Sequence, residues 1–231
     1  MSSLAMSTPA LNPFPPIKPK FDEANLGNVV YLIASDARLC DIPLSELTAA
    51  GVKIRHFGCA SEFLNCVRED SAACIISDLQ LTDMTAFDLQ RLMTEQGGPP
   101  TVFIGVHPDI RCGIRAVKDG AVDCLLHPVD SSALIGAVNE AFRRDRTVRR
   151  RRAEIAALDA RHLRLTRRER EVFALVVRGF LNKQVAGMLT ISLVTVQIHR
   201  SNMMRKMGAR SFADLVCMAV KLKILDQELV G

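Results

Sequence analysis

Residues 72–78, AACIISD, form a short apolar run that ends in an acidic residue, Asp78. The same design recurs in NVVYLIA (28–34), PTVFIG (100–105) and AVDCLL (121–126), with a weaker version in VKIRHF (52–57). Stretches with helical periodicity alternate with these runs, at 38–50, 60–69, 86–96, 109–119 and 130–142. Strands that are apolar on both faces and alternate with helices indicate a parallel sheet covered on both sides. The sequence therefore predicts a doubly wound α/β domain with five parallel strands over residues 28–142.

Polar or small residues follow the predicted strands where a functional crevice is expected. In doubly wound folds the crevice lies at the carboxyl ends of the strands. Asp36, Asp78, Gly105 and His127 all fall at such ends. An aspartate in this place, followed by a short loop and a helix, is the residue that a protein would use to accept a phosphoryl group. Asp78 is the candidate.

The composition indicates a globular protein with two modest domains. The chain has 231 residues, of which 48% are hydrophobic and 24% are charged. No apolar run approaches the roughly 18 residues that a membrane span needs, so we expect no membrane association and a cytoplasmic protein. Residues 1–27 are rich in proline and lack a basic start and a continuous apolar stretch, which predicts a disordered tail rather than a signal peptide.

The seven cysteines form no C-x-x-C pair, and the five histidines show no metal-ligand spacing. In a chain without a signal peptide this favours reduced, mostly buried thiols. A redox-sensing thiol is the alternative. The sequence predicts neither a resident metal nor a cofactor.

Charge is distributed unevenly along the chain. Residues 1–142 hold 10 Lys and Arg against 17 Asp and Glu, a net charge of −7, whereas residues 143–231 hold 20 against 8, a net charge of +12. The run RRDRTVRRRRAEIAALDARHLR (143–164) predicts a basic helical linker. Four helical segments follow, at 166–178, 182–189, 193–207 and 211–224, and Thr166 and Glu169 have the spacing of a capping box. The basic second half indicates a polyanionic partner, most simply DNA.

Within LVTVQIHRSNMMRKM (193–207) the helical period separates two faces. Val196, Met203 and Met207 fall on one face and are expected to be buried. The opposite face carries Gln197, Ile198, Ser201 and Arg205, with Arg200 and Lys206 on its flanks. Basic flanks around small polar residues suit a helix in the major groove of DNA. Asn182 and Lys183 begin the preceding helix, where backbone amides favour a phosphate.

The stretch LTRREREVFALVVRGFLNKQVAGMLTISLVTVQIHRSNMMRKMGARSFADLV resembles the LuxR-type helix-turn-helix of FixJ/NarL-family response regulators. The resemblance implies a DNA-binding domain over residues 165–231, whose third helix reads the major groove and whose fourth forms a homodimer on a two-fold operator. It makes Gln197, Ile198 and Ser201 the base readers. It makes phosphate or groove contacts of Asn182, Lys183, Thr195, His199, Arg200, Arg205 and Lys206.

Residues 28–145 resemble a FixJ-type receiver domain, which has a flavodoxin-like fold, through SDLQLTDMTAFDL and GAVDCLLHPVD. The resemblance places Asp78 on the phosphoacceptor and implies a degenerate site around it. Ala34 and Ser35 stand where the family has two Mg²⁺-binding acids, with only Asp36 acidic next to them. Gly105 replaces the phosphate-binding hydroxyl, His127 the lysine and Cys124 the aromatic switch residue.

Three interpretations follow for the function. The first is a dimeric, sequence-specific transcription regulator, not an enzyme, whose receiver-like domain works without phosphorylation and receives a partner protein or another signal. The second is a conventional response regulator phosphorylated on Asp78, with Asp36 as its sole metal acid. The third is a thiol-redox or small-molecule sensor joined to the same DNA-binding domain.

Overall fold

Five parallel strands form the sheet of the first unit in the computed structural model, which describes residues 25, 27–34, 42–105 and 115–225. The sheet order is β2-β1-β3-β4-β5. The strands are β1 (Val29–Ile33), β2 (Lys53–Phe57), β3 (Ala73–Asp78), β4 (Thr101–Gly105) and β5 (Asp123–Leu126). The central strands β1, β3 and β4 are buried along their whole length, as their continuous apolar runs predict. The prediction of a five-stranded, doubly wound parallel sheet is confirmed.

Helices cover both faces of this sheet. They are α1 (Leu44–Ala49), α2 (Ala60–Leu64), α3 (Ala86–Gln96) and α4 (Ser131–Leu163), and residues 115–118 are also helical. Alternate strand residues point to opposite faces. On one face Leu32 and Ile76 pack with Phe142 of α4, and on the other Tyr31 and Ile75 pack with Phe63 and Met93.

One predicted helix is shorter than its periodicity suggested. The prediction of a helix over 60–69 was wrong for its second half, because α2 ends at Leu64. Residues beyond it are held along the sheet by two hydrogen bonds instead. The Arg55 guanidinium donates to the Val67 carbonyl at 3.0 Å, and the Glu69 amide donates to the Tyr31 hydroxyl at 3.0 Å. These tertiary partners are not visible in a local sequence pattern.

The linker helix is continuous with the last helix of the receiver-like sequence, since α4 runs for 33 residues without a break. Its first half is anchored by Asp145, a buried residue whose carboxylate accepts a hydrogen bond from the Ala73 amide at 3.0 Å. Contacts divide the chain into two compact units between Thr147 and Val148. The predicted tail over residues 1–27 falls almost wholly outside the described residues.

The second unit contains α5 (Arg167–Val177), α6 (Asn182–Leu189), α7 (Leu193–Met207) and α8 (Phe212–Lys221) after the end of α4. Thr166 and Glu169 form the predicted capping box. The helices pack around a core that contains Val172, Phe173, Val185, Leu215 and the three α7 residues predicted to be buried, Val196, Met203 and Met207. The last helix ends at Lys221 rather than at residue 224. None of the described helices is both long and apolar enough to cross a membrane.

Candidate functional site

The ends of the central strands converge on a very small cavity. Strand register aligns Ile33 with Ser77 and Asp78 with Ile104, which brings Ala34 next to the Asp78 carboxylate. The His127 amide donates to the Gly105 carbonyl at 2.9 Å and fixes the start of the loop after β5. The cavity measures about 10 Å³ and is lined by Leu32, Ala34, Ile42, Ile76, Asp78, Ile104 and His127. Three of the predicted receiver residues, Ala34, Asp78 and His127, therefore meet at one place.

The Asp78 side chain is buried and bound to its own loop. It is 6% exposed, and its Oδ1 accepts a hydrogen bond from the Gln80 amide at 2.9 Å. Its cavity neighbour His127 has a buried Nδ1 that makes no hydrogen bond within the described residues. The Asp78 carboxylate is therefore held by an amide of the loop that follows β3.

The described residues do not fit the Mg²⁺ ion that receiver domains use. Mg²⁺ prefers oxygen ligands, and the described residues that line the cavity offer only the Asp78 carboxylate among apolar side chains and His127. Asp83, the next acid in the loop, faces away, because its carboxylate accepts the Ala60 and Ser61 amides at 3.2 and 2.7 Å. No group of three or more acidic, histidine or cysteine residues in the described parts of the chain could hold a metal. Ser35 and Asp36 lie outside those parts.

Gly105 and Cys124 stand where the family resemblance implies a hydroxyl side chain and an aromatic residue. At Gly105 an added Cβ would lie 2.8 Å from Leu79 Cδ1, so the Leu79 side chain occupies the space of a larger residue. Cys124 is half-buried and packs beside Phe103, Ala116 and Ala121. A thiol side chain there is much smaller than the aromatic residue that the family resemblance implies at this position.

The described thiols differ in exposure. Cys74 is fully buried in the sheet, and burial, reinforced by the nearby Asp145 carboxylate, raises the pKa of its thiol. Such a thiol is not a reactive thiolate at neutral pH. Cys217 on α8 is exposed, whereas Cys59, Cys66 and Cys124 are intermediate. The second unit thus carries the described thiol that solvent reaches most readily.

In the second unit, α7 exposes one face and buries the other. The predicted contact residues Gln197, Ile198, Ser201 and Arg205 are exposed on it, as is Lys183 at the start of α6. The helix begins at Ser192, whose hydroxyl accepts the Thr195 amide at 3.0 Å. Half-buried among the predicted set are Asn182, Thr195, His199, Arg200 and Lys206. The structure therefore brings five of the ten predicted residues to the surface, and the other five are partly enclosed.

Lys206 forms an ion pair inside the domain. Its ammonium donates to Glu169 Oε2 at 2.6 Å, and the Glu169 side chain is only 4% exposed. Burial opposes the ionisation of Glu169, but the hydrogen bonds from Lys206 and Thr166 outweigh it and lower the pKa of that carboxyl. Glu169 thus connects the start of α5 to the end of α7, a role that the sequence does not reveal beyond the capping box.

Arg200 is held from two sides. Its guanidinium donates to Asn182 Oδ1 at 2.9 Å and lies over the Phe212 ring, 5.5 Å from the centroid. Arg200 therefore links the first residues of α6 and α8 to the middle of α7. Phe212 was not among the predicted site residues, and an aromatic residue next to a basic helix is too common to single out from sequence.

Comparisons with known proteins match each of the two units to a known domain family. Residues 163–219 match the model for bacterial regulatory proteins of the luxR family, and residues 32–139 match the response regulator receiver domain. Response regulator protein TodT of Pseudomonas putida is 36% identical over 197 residues, which cover 85% of this chain and 87% of TodT. The transcriptional regulatory protein FixJ of Bradyrhizobium diazoefficiens is 30% identical over 198 residues, or 85% of this chain and 97% of FixJ. The chain belongs to the LuxR/FixJ family of response regulators.

A solved structure supports the same assignment. The response regulator StyR is 34% identical, with a TM-score of 0.71, and the match covers 84% of this chain and 99% of StyR. This chain, as a member of the LuxR/FixJ family, is therefore a DNA-binding transcription regulator and not an enzyme.

Proposed function

We propose that this response regulator binds a two-fold operator as a homodimer and acts without phosphorylation of Asp78. The observation that carries the second part is the lining of the Asp78 cavity, where apolar side chains and His127 surround a single carboxylate among the described residues. A transferring phosphoryl group needs a cation and hydrogen-bond donors at this place. Ala34 provides no second carboxylate, Gly105 provides no hydroxyl, and His127 takes the place of the lysine.

The exposed face of α7 supports its assignment as the helix that reads the major groove of DNA. Gln197, Ile198 and Ser201 stand exposed on the face opposite the buried row, where a major-groove helix presents its base-reading residues. Exposed cations on the same helix and on α6, Arg205 and Lys183, are placed to contact phosphates. The remaining predicted contacts, at Asn182, Thr195, His199, Arg200 and Lys206, lie closer to the core. Of these, Arg200 and Lys206 contribute positive charge, and Asn182 fixes the position of Arg200.

The exposed side of α8 supports the homodimer. Phe212 and Val220 are 42% and 57% exposed, and their separation of eight residues turns the helix about 80° beyond two full turns, so both lie on the solvent side of α8. An apolar strip on the last helix suits a self-complementary contact around a two-fold axis.

With no visible phosphorylation trigger, a partner protein that docks on the receiver-like domain sets the activity. The protein acts in the cytoplasm, where its DNA target is.

Phosphorylation can be tested directly. Purified protein is incubated with acetyl phosphate and Mg²⁺, and its intact mass is measured beside that of Asp78→Asn. We expect no mass gain in either protein. A stoichiometric phosphoryl adduct that disappears in Asp78→Asn would overturn the proposal.

That result would establish the alternative of a conventional response regulator. One observation favours it, since Asp78 retains its carboxylate at the end of β3, where the family has its phosphoacceptor. A thiol sensor is favoured by the exposure of Cys217. Titration of free thiols before and after peroxide treatment tests it, together with DNA binding, since a sensor must change both.

A further inference from the structure

Val194 is an exposed apolar residue at the centre of the outward face of α7. Its exposed fraction is 63%, and that of Ile198, one turn later, is 55%. Val194 precedes the fully buried Met203 by nine residues, a separation that turns an α-helix through about 180°. The Val194 side chain therefore points directly away from the core of the domain, and Ile198 lies beside it.

Packing within the described residues does not explain this choice of residues. Single exposed apolar residues are ordinary, but β-branched ones lower helix propensity, so a merely solvated face gains nothing from them. The pair lies beside Gln197, Ser201 and Arg205, on the face that we assign to DNA reading. Four residues separate Val194 from Ile198, which corresponds to about 6 Å along the helix axis.

Charge identifies the occupant of this face. The sequence of α7 contains no acidic residue, and Arg205 is an exposed cation on it. Arg200 and Lys206 are bound within the domain, but residues 143–231 as a whole carry a net charge of +12. A polyanion is therefore favoured over an uncharged apolar surface of another protein. In the major groove the apolar group on the base edges is the C5-methyl of thymine, which takes apolar side-chain contacts.

We propose that Val194 and Ile198 form a binding site for thymine methyl groups, so that each half-site of the operator contains two thymines that are read by apolar contact. This inference rests on the proposed role of α7 as the recognition helix. The separation of about 6 Å lies between one and two base-pair steps of about 3.4 Å. The two thymines thus lie in neighbouring or next-but-one base pairs.

The test removes only the methyl groups. An operator is first selected in vitro from random duplexes with the full-length protein, and each thymine in a half-site is then replaced by deoxyuridine. We expect two positions at which binding weakens about fourfold, the effect of exposing one buried methylene-sized group. Val194→Ser, which removes both γ-methyl groups, should abolish the weakening at one of these positions and leave the other.

Val148→Ser is the matched control, since Val148 lies on α4 and is 42% exposed. It should keep the wild-type response to deoxyuridine at both positions. Specific binding that is insensitive to deoxyuridine, or a sensitivity that Val194→Ser leaves intact, would overturn the inference while the proposed function stands. Failure to select any sequence would overturn the proposed function and the inference together.

Discussion

At the scale of single residues, Glu169 shows how one side chain can serve two elements. It closes the capping box of α5 by accepting the Thr166 amide at 2.7 Å, and it also binds Lys206 of α7. The capping box follows from the spacing of Thr166 and Glu169 in the sequence. The pairing with Lys206 depends on how α5 and α7 pack, which no local pattern reports, so the sequence alone presents Lys206 as a free phosphate contact.

Glu169→Gln should destabilise the protein only where the carboxyl is ionised. Glutamine preserves the capping hydrogen bond but loses the charge that binds Lys206, which we expect to cost about 1–2 kcal/mol because Lys206 remains partly exposed. Since the folded-state pKa of Glu169 is lowered, its stabilisation is complete above the unfolded pKa of about 4.3 and is lost as pH falls through the lower folded value.

Thermal unfolding at pH 7 and at pH values below 4 measures this difference. The gap in Tm between wild type and Glu169→Gln should shrink as the pH falls. Glu171→Gln is a suitable control, because Glu171 pairs with Arg167 and Arg168 at the surface of α5. A gap that stays constant with pH would contradict the assigned role of the Glu169–Lys206 pair.

Gln197→Ala should change which base is preferred at one position in each half-site. An amide side chain on the exposed face of α7 can form two hydrogen bonds with adenine, and their loss costs roughly 1–3 kcal/mol at that position. In vitro selection with wild type and variant measures the preference. Arg205→Ala is the comparison, since loss of a phosphate contact should weaken all sequences alike and lower the salt dependence. An unchanged selected site in Gln197→Ala would show that α7 does not read DNA through this residue.

At the scale of elements, strands are easier to predict than helix ends. All five predicted runs are strands, and the three central ones are predominantly apolar because they are buried on both faces, whereas β2 and β5 form the partly exposed edges. The length of α2 and the continuity of α4 are not predictable in the same way. The first depends on hydrogen bonds that involve Arg55 and Tyr31, and the second joins segments that composition alone separates at residue 143.

The ends of the strands define a pocket that should ignore Mg²⁺. A ligand that binds weakly stabilises little, so 5 mM Mg²⁺ should raise the Tm of the full chain by less than about 1 °C. Differential scanning fluorimetry at matched ionic strength checks this. A saturable rise of several degrees in wild type that is absent in Asp78→Asn would place a functional metal site in the pocket.

The apolar strip of α8 should be required for dimerisation. Val220→Glu would bury an unpaired charge in the proposed contact, and we expect dimer affinity to fall by more than tenfold. Sedimentation equilibrium measures the change, with Val148→Glu as the control at an exposed valine of α4. Equal dimer affinity in Val220→Glu and wild type would exclude this part of α8 from the interface.

At the scale of the whole molecule, charge separates the two functions. The net charge of −7 over residues 1–142 and +12 over residues 143–231 indicates a polyanionic partner for the second half, and the helix-turn-helix motif makes DNA that partner. The departure of the receiver pocket from the family is also visible in the sequence, at Ala34, Gly105, Cys124 and His127. The size of the cavity is not, because it depends on how Ile42, Ile76 and Ile104 close around Asp78.

In the family, phosphorylation of the receiver domain shifts an equilibrium between two conformations of the protein. If Asp78 is not phosphorylated, phosphate cannot shift that equilibrium. DNA binding by the untreated full-length protein is therefore the most direct test of regulation without phosphorylation. Wild type and Asp78→Ala are titrated onto the selected two-half-site operator, with and without beryllofluoride and Mg²⁺. We expect both proteins to bind as dimers at submicromolar concentration and beryllofluoride to change neither curve. Regulation without phosphorylation would be contradicted if the wild-type protein stays monomeric and off DNA until beryllofluoride is added and Asp78→Ala never binds.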